Sequence, residues 1–168
     1  MRYFLRLSYD GSAFSGWQIQ SNARSVQGEL ERALSIACGH TVEVVGAGRT
    51  DAGVSARGYI AHFDTESENA KNASAFLYKL NAILPCEIVV DNICEVSPEA
   101  HARFDAISRS YEYRVHTTKD PFAVRSLWFG FKLDVDAMNE AAQHITGRRD
   151  FSCFEKVGAD NRTSVCDV

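Results

Sequence analysis

The feature that most constrains the fold is a glycine-rich loop, residues 46–56, which lies between two strand-like runs. It reads Gly-Ala-Gly-Arg-Thr-Asp-Ala-Gly-Val-Ser-Ala, with a β-branched run before it at residues 41–45 and another apolar run after it at residues 57–64. Closely spaced glycines let a backbone turn sharply or let another molecule approach it. Loops carried by rigid strands are also where binding and catalytic groups concentrate. The loop is therefore predicted to be functional, with Arg49 and Asp51 as its candidate reactive residues.

Hydrophobic patterns on both sides of the loop predict the order β-α-β-β-α-β for residues 1–97. Ser25 and Gly39 bracket one amphipathic helix as its N-cap and C-terminal glycine, and Pro85 stops a second helix. The other predicted elements are strands over residues 3–9, 41–45, 57–64 and 87–96 and the second helix over residues 73–84. This order is that of a ferredoxin-like split unit.

The remaining sequence begins a second half in the order β-β-α. Strict alternation over residues 108–116 predicts a strand with two distinct faces, and residues 127–133 predict another. A helix capped by Asp134 or Asp136 and ended by Gly147 follows, with a final strand at residues 162–168. Phe151 and Phe154 are interpreted as core residues. The predicted domains are a catalytic half, residues 1–107, and the start of a second half, residues 108–168.

Composition narrows the functional classes. The net charge of −4 does not indicate a strongly basic nucleic-acid binder, but 13 arginines stand against 5 lysines. Arginine suits bidentate contacts to phosphate, so a local basic groove on an acidic protein is possible. No apolar run approaches the ~18 residues of a membrane span. The five cysteines lack a CxxC spacing and indicate neither a zinc site nor a disulfide framework. Reduced thiols and a cytoplasmic location are expected.

The residues of the loop allow two interpretations. Asp and Gly are common in turns, and an exposed Arg–Asp pair contributes little, so Arg49 and Asp51 could simply form a surface turn. Alternatively, a guanidinium favours the ionised form of a nearby carboxyl, which can then act as nucleophile or base. A paired-carboxylate glycosidase is disfavoured, because the loop holds only one acid.

Seven motifs, in register across nearly the whole chain, resemble the TruA-type tRNA pseudouridine synthases. They lie at residues 9–20, 25–31, 46–54, 80–85, 101–106, 109–113 and 150–154. The resemblance implies the α+β pseudouridine synthase fold, with two halves derived from ferredoxin-like units, antiparallel or mixed sheet, and an incomplete second half. It implies isomerisation of uridine in the anticodon arm of tRNA, a homodimer, and no metal or organic cofactor.

The resemblance also assigns roles to residues. Asp51 is implied as the catalytic aspartate, Arg49 as its ion-pair partner near the flipped base, and Tyr111 as the ring that stacks on uracil. Unstacking a base costs a few kcal/mol, and an aromatic platform returns ~1–3 kcal/mol. Whether the aspartate attacks the sugar, attacks the base or removes a ribose proton is left open. Arg103 and Arg109 are candidate phosphate-binding residues, with surface solubility or structural pairing as the alternative.

Three departures from the family pattern accompany these expectations. Ser55 and Arg149 stand where the family usually has histidine, and the chain is shorter than its members normally are. A truncated protein is therefore expected. The alternative function is a non-catalytic RNA-binding module, since RRM-type binders share the ferredoxin-like unit. A self-associating domain without RNA affinity is the third possibility.

Overall fold

A computed structural model describes residues 1–155 and 163–168. The chain divides into two compact units, Met1–Arg109 and Ser110–Val168. Together they form a mixed α+β structure with an antiparallel sheet and, within the described residues, three α-helices. In that part of the chain, every helix is too short or too polar to cross a membrane.

The first unit has the predicted order β-α-β-β-α-β. Its four strands form one antiparallel sheet in the order β2-β3-β1-β4. The elements are β1 (Arg2–Tyr9), α1 (Val26–Cys38), β2 (Val44–Gly46), β3 (Ala56–Asp64), α2 (Ala73–Ile83) and β4 (Ile88–Val96). The central strand β1 is paired along both edges, so that Leu5 lies opposite Ala61 on one side and Ile93 on the other.

The two helices begin and end where the sequence predicts. The Ser25 side chain accepts a hydrogen bond from the Gly28 N–H at the start of α1, and Gly39 ends the helix in a left-handed conformation with φ of 85°. Both are standard ways to satisfy helix-end groups. Helix α2 ends at Ile83, two residues before Pro85, because a proline disfavours helical backbone in the residue before it.

The core lies between the two helices and one face of the sheet. Alternate residues of β1 are buried, as the period of two requires. They pack with apolar residues of both helices in one cluster that includes Leu5, Leu7, Leu30, Leu34, Phe63, Phe76 and Leu80. The first unit thus has two layers, a sheet and a pair of helices, and it carries the glycine-rich loop between β2 and β3.

The second unit has shorter elements and no buried residue among those the structure describes. Strands β5 and β6 pair in parallel, and β7 pairs with β8 antiparallel. The elements are β5 (Val115–His116), β6 (Leu127–Trp128), α3 (Val135–Ala142), β7 (Arg148–Asp150) and β8 (Val165–Asp167). Asp134, rather than Asp136, caps α3, accepting a hydrogen bond from the Ala137 N–H.

Several predictions for the second unit are wrong. Only the last two residues of the strand predicted over 108–116 form a strand, and the one predicted over 127–133 is reduced to Leu127–Trp128. Alternation defines two faces, but a strand also needs hydrogen bonds from a partner, and Tyr111 and Tyr113 are 83% and 79% exposed. Phe154, interpreted as core, is 74% exposed.

The last predicted strand, residues 162–168, is partly found. Strand β8 occupies Val165–Asp167 and pairs with β7. Arg162 lies outside the described residues.

Candidate active site

The glycine-rich loop is hydrogen-bonded to the first unit at three points along its length. The Ala47 N–H donates to the Ile60 carbonyl at 2.9 Å, and the Thr50 carbonyl accepts from the Trp17 N–H at 3.0 Å. Further along, the Gly53 N–H donates to the Phe14 carbonyl at 3.3 Å. Backbone groups of Phe14, Trp17 and Ile60 therefore support the loop.

Three aromatic side chains, Tyr9, Trp17 and Tyr59, form a cluster that contacts the loop; we call it the aromatic cluster. The Trp17 and Tyr59 ring centroids are 4.4 Å apart, and Tyr9 meets Tyr59 edge-on at 5.7 Å. The Tyr9 hydroxyl lies 2.9 Å from the Thr50 hydroxyl oxygen. The Tyr59 hydroxyl accepts a hydrogen bond from the Gly48 N–H at 3.0 Å and donates one to the Gly48 carbonyl. The cluster therefore holds the loop on both sides of Arg49.

Two glycines allow the loop to lie this close. A Cβ on Gly46 would lie 2.3 Å from the Tyr59 hydroxyl oxygen and 2.5 Å from the Trp17 ring. Gly16 has φ of +100°, which favours glycine, and a Cβ there would lie 2.7 Å from the Thr50 carbonyl oxygen. A side chain at Gly46 would collide with Tyr59 and Trp17, and one at Gly16 would collide with the Thr50 carbonyl, so both positions need glycine.

Arg49 and Asp51 both lie on the exposed side of the loop. The Asp51 carbonyl accepts the Val54 N–H at 3.2 Å, which closes a turn. Neither side chain takes part in any salt bridge within the described part of the chain. The Arg49–Asp51 ion pair implied by the resemblance is thus not formed here. Both groups are well hydrated at the surface, where pairing contributes little.

Arg109 contacts the first residues of the loop. Its Nε and Nη2 atoms donate to the Ala47 carbonyl at 3.2 and 2.6 Å, and Nη2 also donates to the Arg103 carbonyl at 3.1 Å. These bonds join the predicted phosphate-binding arginines to each other and to the loop. The Arg103 guanidinium itself lies 5.7 Å from the centre of the Phe104 ring.

The turn that carries Arg103 is ordered by His101. Its Nδ1 atom accepts hydrogen bonds from the N–H groups of Arg103 and Phe104, at 3.2 and 3.3 Å. The His101 N–H in turn donates to the Asp105 carboxylate at 2.7 Å. The motif over residues 101–106 therefore has a local structural explanation, in which His101 is an acceptor within the turn.

Buried His62 of β3 attaches this turn to the sheet. Its Nδ1 atom accepts a hydrogen bond from the Ala102 N–H at 3.2 Å. Burial, and to a smaller extent the nearby charges of Arg2 and His101, lowers the pKa of His62 below its usual value. The neutral imidazole is consequently the form that suits this contact, because a protonated ring has no acceptor nitrogen.

Tyr111 and the two residues that depart from the family pattern lie in different surroundings. Tyr111 belongs to the second unit, outside its strands, with an exposed side chain. Ser55 accepts a hydrogen bond from the Gly11 N–H at 3.0 Å and donates one to the Asp10 carboxylate at 3.4 Å. Arg149 donates to the Thr146 carbonyl at 2.8 Å. Ser55 therefore ties the end of the loop to the turn after β1.

Sequence reasoning missed the contributions of Tyr9 and Tyr59. Both lie on strands, where an aromatic residue at a half-buried position is expected on packing grounds alone. The available signal was the group of small residues between β2 and β3, which leaves room for rings beneath the loop. Among the described residues there is no cluster of three His, Cys, Asp or Glu side chains suited to a metal ion. All five cysteines are free thiols.

Comparison with known proteins defines the class. Residues 7–105, which include the loop and the aromatic cluster, match the family model described as tRNA pseudouridine synthase. The chain belongs to this family, as the motifs indicated.

Individual relatives are similar over almost the whole chain. The tRNA pseudouridine synthase A of Parabacteroides distasonis is 48% identical over 99% of this chain and 66% of its own length. The proteins of the same name from Bacteroides thetaiotaomicron and Porphyromonas gingivalis are 46% and 44% identical, over 99% of this chain and 62% and 67% of their own lengths. The chain thus spans about two thirds of the length of the curated relatives it matches.

Proposed function

We propose that this chain isomerises uridine to pseudouridine in tRNA, with Asp51 as the catalytic residue. The observation that carries the proposal is the position of Asp51. It is exposed on a loop whose backbone is held by an aromatic cluster of two buried residues and one partly buried residue, in a chain of the tRNA pseudouridine synthase family. A rigid support that presents an accessible carboxylate is what a reaction on a bulky polynucleotide requires.

The reaction is an internal transfer. The bond between ribose C1′ and uracil N1 breaks, the base rotates, and a bond forms between C1′ and C5. The proton on C5 is lost and N1 gains one, so atoms and charges balance without an oxidant or a cofactor. The Asp51 carboxylate can take part as nucleophile at the sugar, as nucleophile at the base, or as base toward a ribose proton.

The target uridine must leave its stack before both N1 and C5 are accessible. In the proposal, Tyr111 stacks on the flipped uracil, and Arg49 occupies the gap or holds the base. Arg103 supplies positive charge for the phosphates of the anticodon arm. Arg109 contacts phosphates of the same arm and also holds the loop backbone through its hydrogen bonds to the Ala47 carbonyl. These roles rest on the motifs that contain the residues.

The wider arrangement is proposed on the same basis. The first unit has the order β-α-β-β-α-β and the sheet order β2-β3-β1-β4, which supports its derivation from a ferredoxin-like unit. The second unit is proposed as the start of a related half. A cytoplasmic homodimer acting on tRNA completes the proposal.

A non-catalytic RNA-binding module is the second candidate. One observation favours it: the unit that contains Tyr111 buries none of its described residues, whereas a stacking platform for a flipped base needs rigid support. In this candidate the chain retains affinity for RNA and forms no pseudouridine.

A tritium-release assay on tRNA labelled at uridine C5 tests both candidates. Wild-type chain should release tritium, and Asp51→Ala should lower the rate about 10³-fold or more while tRNA binding persists. Asp136→Ala, an exposed aspartate of α3, is the matched control and should react as wild type. Equal rates for wild type and Asp51→Ala would exclude the catalytic role of Asp51. Binding without any tritium release would favour the RNA-binding module.

A further inference from the structure

We propose that Tyr59 is a positioning residue, whose hydroxyl group holds Gly48 so that the Arg49-Thr50-Asp51 segment keeps its reactive geometry. The inference rests on the proposed function for its catalytic consequence. The contact itself is a property of the folded first unit.

One hydroxyl oxygen satisfies both backbone groups of Gly48. It accepts the Gly48 N–H at 3.0 Å and donates to the Gly48 carbonyl. A phenolic hydroxyl can do both, because it has one proton to donate and lone pairs to accept. Tyr59 therefore contacts the peptide units on both sides of Gly48, one residue before Arg49, and the first of these units is also held by Arg109 through the Ala47 carbonyl.

The Tyr59 ring is held in place by its neighbours. It is partly buried, with Trp17 at 4.4 Å and Tyr9 edge-on at 5.7 Å between ring centroids. Gly46 leaves the space for this packing, since a Cβ there would lie 2.3 Å from the Tyr59 hydroxyl oxygen. The position of the Tyr59 ring is consequently defined by its packing against Trp17, Tyr9 and Gly46.

The same cluster holds the loop again at Thr50. The Trp17 N–H donates to the Thr50 carbonyl, and the Tyr9 hydroxyl lies 2.9 Å from the Thr50 side-chain oxygen. Anchors at residues 48 and 50 bracket Arg49 and end one residue before Asp51. Removal of the anchor at Gly48 frees the Gly48–Arg49 peptide to reorient, while the Arg109 bonds to the Ala47 carbonyl and the contacts at Thr50 remain.

Loss of the Tyr59–Gly48 hydrogen bonds should lower the rate of isomerisation more than the affinity for tRNA. A catalytic group misplaced by about 1 Å costs on the order of 10²-fold in rate. Contacts to the phosphate backbone dominate affinity for nucleic acids, whereas the Tyr59 hydroxyl is engaged with both backbone groups of Gly48. We therefore expect Tyr59→Phe to separate the rate of isomerisation from tRNA binding.

The experiment compares Tyr59→Phe with Tyr78→Phe in the full chain. Tyr78 is 81% exposed on α2 and provides the same substitution at a position outside the cluster. Three quantities are measured: the single-turnover rate of pseudouridine formation, the Kd for tRNA, and the exchange rate of the Gly48 amide proton by NMR without RNA. Thermal unfolding of both variants checks that the fold is intact.

The expected result is a rate about 10- to 100-fold lower for Tyr59→Phe, with unchanged Kd, and Gly48 amide exchange about 10-fold faster or more. Tyr78→Phe should match wild type in all three. A Tyr59→Phe rate equal to that of wild type would overturn the proposal. So would a rate that falls only in proportion to weaker tRNA binding or to partial unfolding.

The exchange measurement separates this inference from the proposed function. If wild type forms no pseudouridine, the proposed function fails. The exchange rate of the Gly48 amide proton then tests by itself whether Tyr59 holds the loop. Unchanged exchange in Tyr59→Phe would show that the hydroxyl does not hold the loop. Faster exchange confined to Gly48 and its neighbours would support the anchoring role.

Discussion

The two units contain similar alternating sequence patterns, but only in the first unit does the pattern form a long, paired strand. In the first, alternating residues of β1 form a strand paired on both edges, and every second side chain is buried. In the second, an equally regular alternation over residues 108–116 forms only a two-residue strand, and Tyr111 and Tyr113 remain exposed. Alternation therefore specifies which side chains share a face, while partner strands and a covering layer decide whether that face is buried.

The difference bears directly on the candidate site. The loop with Arg49 and Asp51 belongs to the unit that has a core, and its backbone is held by buried aromatic residues. Tyr111 belongs to the unit in which no described residue is buried. Buried apolar surface contributes about 25 cal/mol for each Å². The first unit can therefore hold a catalytic loop rigidly, whereas the described contacts within the second unit offer Tyr111 no comparable support.

The largest expected effect comes from a matched pair of leucine substitutions. Leu5 on β1 is 0% exposed and Leu127 on β6 is 49% exposed. Leu5→Ala should lower the free energy of unfolding by about 2–5 kcal/mol, because it removes buried methyl groups and leaves a cavity. Leu127→Ala should change it by less than about 1 kcal/mol. Urea denaturation followed by far-UV circular dichroism measures both, and equal losses would show that the second unit has a core of its own.

A smaller effect is expected from two glycine substitutions. Gly46→Ala places a methyl group within 2.5 Å of the Trp17 ring, whereas at Gly130 the nearest atom, in the Trp128 ring, is 3.5 Å away. Overpacking of the cluster should cost about 1–3 kcal/mol, and Gly130→Ala should be close to neutral.

The same glycine pair also tests the link between the cluster and the loop. Gly46→Ala should displace Tyr59 or Trp17 and slow tritium release, while Gly130→Ala should leave it unchanged. Thermal unfolding and the tRNA assay measure the two consequences separately. A Gly46→Ala protein as stable and as active as Gly130→Ala would contradict the close packing described here.

The smallest effect concerns pH and the histidines of the two units. Since burial lowers the pKa of His62 in the folded state, the unfolded chain binds more protons as the pH falls below about 6.5, the usual histidine value. Stability contributed by neutral His62 is therefore present above that pH and is lost below it, by at most about 1.4 kcal/mol for each pH unit.

His62→Asn isolates this contribution, because asparagine retains an acceptor near Nδ1 and does not titrate. The variant should be less stable than wild type at pH 7.5 and should lose less stability between pH 7.5 and 5.5. His144→Asn, at an exposed position, should keep the pH dependence of wild type. Melting temperatures across this range measure the slopes, and parallel curves for wild type and His62→Asn would contradict the role of His62.

Prediction from sequence succeeded where signals were local. Ser25 and Gly39 mark the ends of α1, Pro85 follows the end of α2, and turn residues separate the strands of the first unit. These residues act through their own backbone preferences, so a short window of sequence contains the cause. The motif containing Asp51 was likewise visible because its residues are adjacent in the chain.

Other features were not predictable, because their causes are distant in sequence. Arg109 bonds to the Ala47 carbonyl across 62 positions, and His62 receives the Ala102 N–H across 40. No local pattern distinguishes Tyr59, which holds Gly48, from Tyr78, which is exposed on α2. The Arg49–Asp51 pair was implied by the family resemblance, and neither exposed side chain is in a salt bridge within the described residues.

Local backbone preferences and hydrophobic period were enough to predict the order of elements in the first unit, the helix ends and the position of the loop that contains Asp51. How that loop is held follows from the tertiary structure, in which strands β1 and β3 carry Tyr9 and Tyr59 to Thr50 and Gly48. The tertiary structure also decided that the alternation over residues 108–116 would form little strand. Pairing and burial depend on which segments meet in space, and this information is absent from any single stretch of the chain.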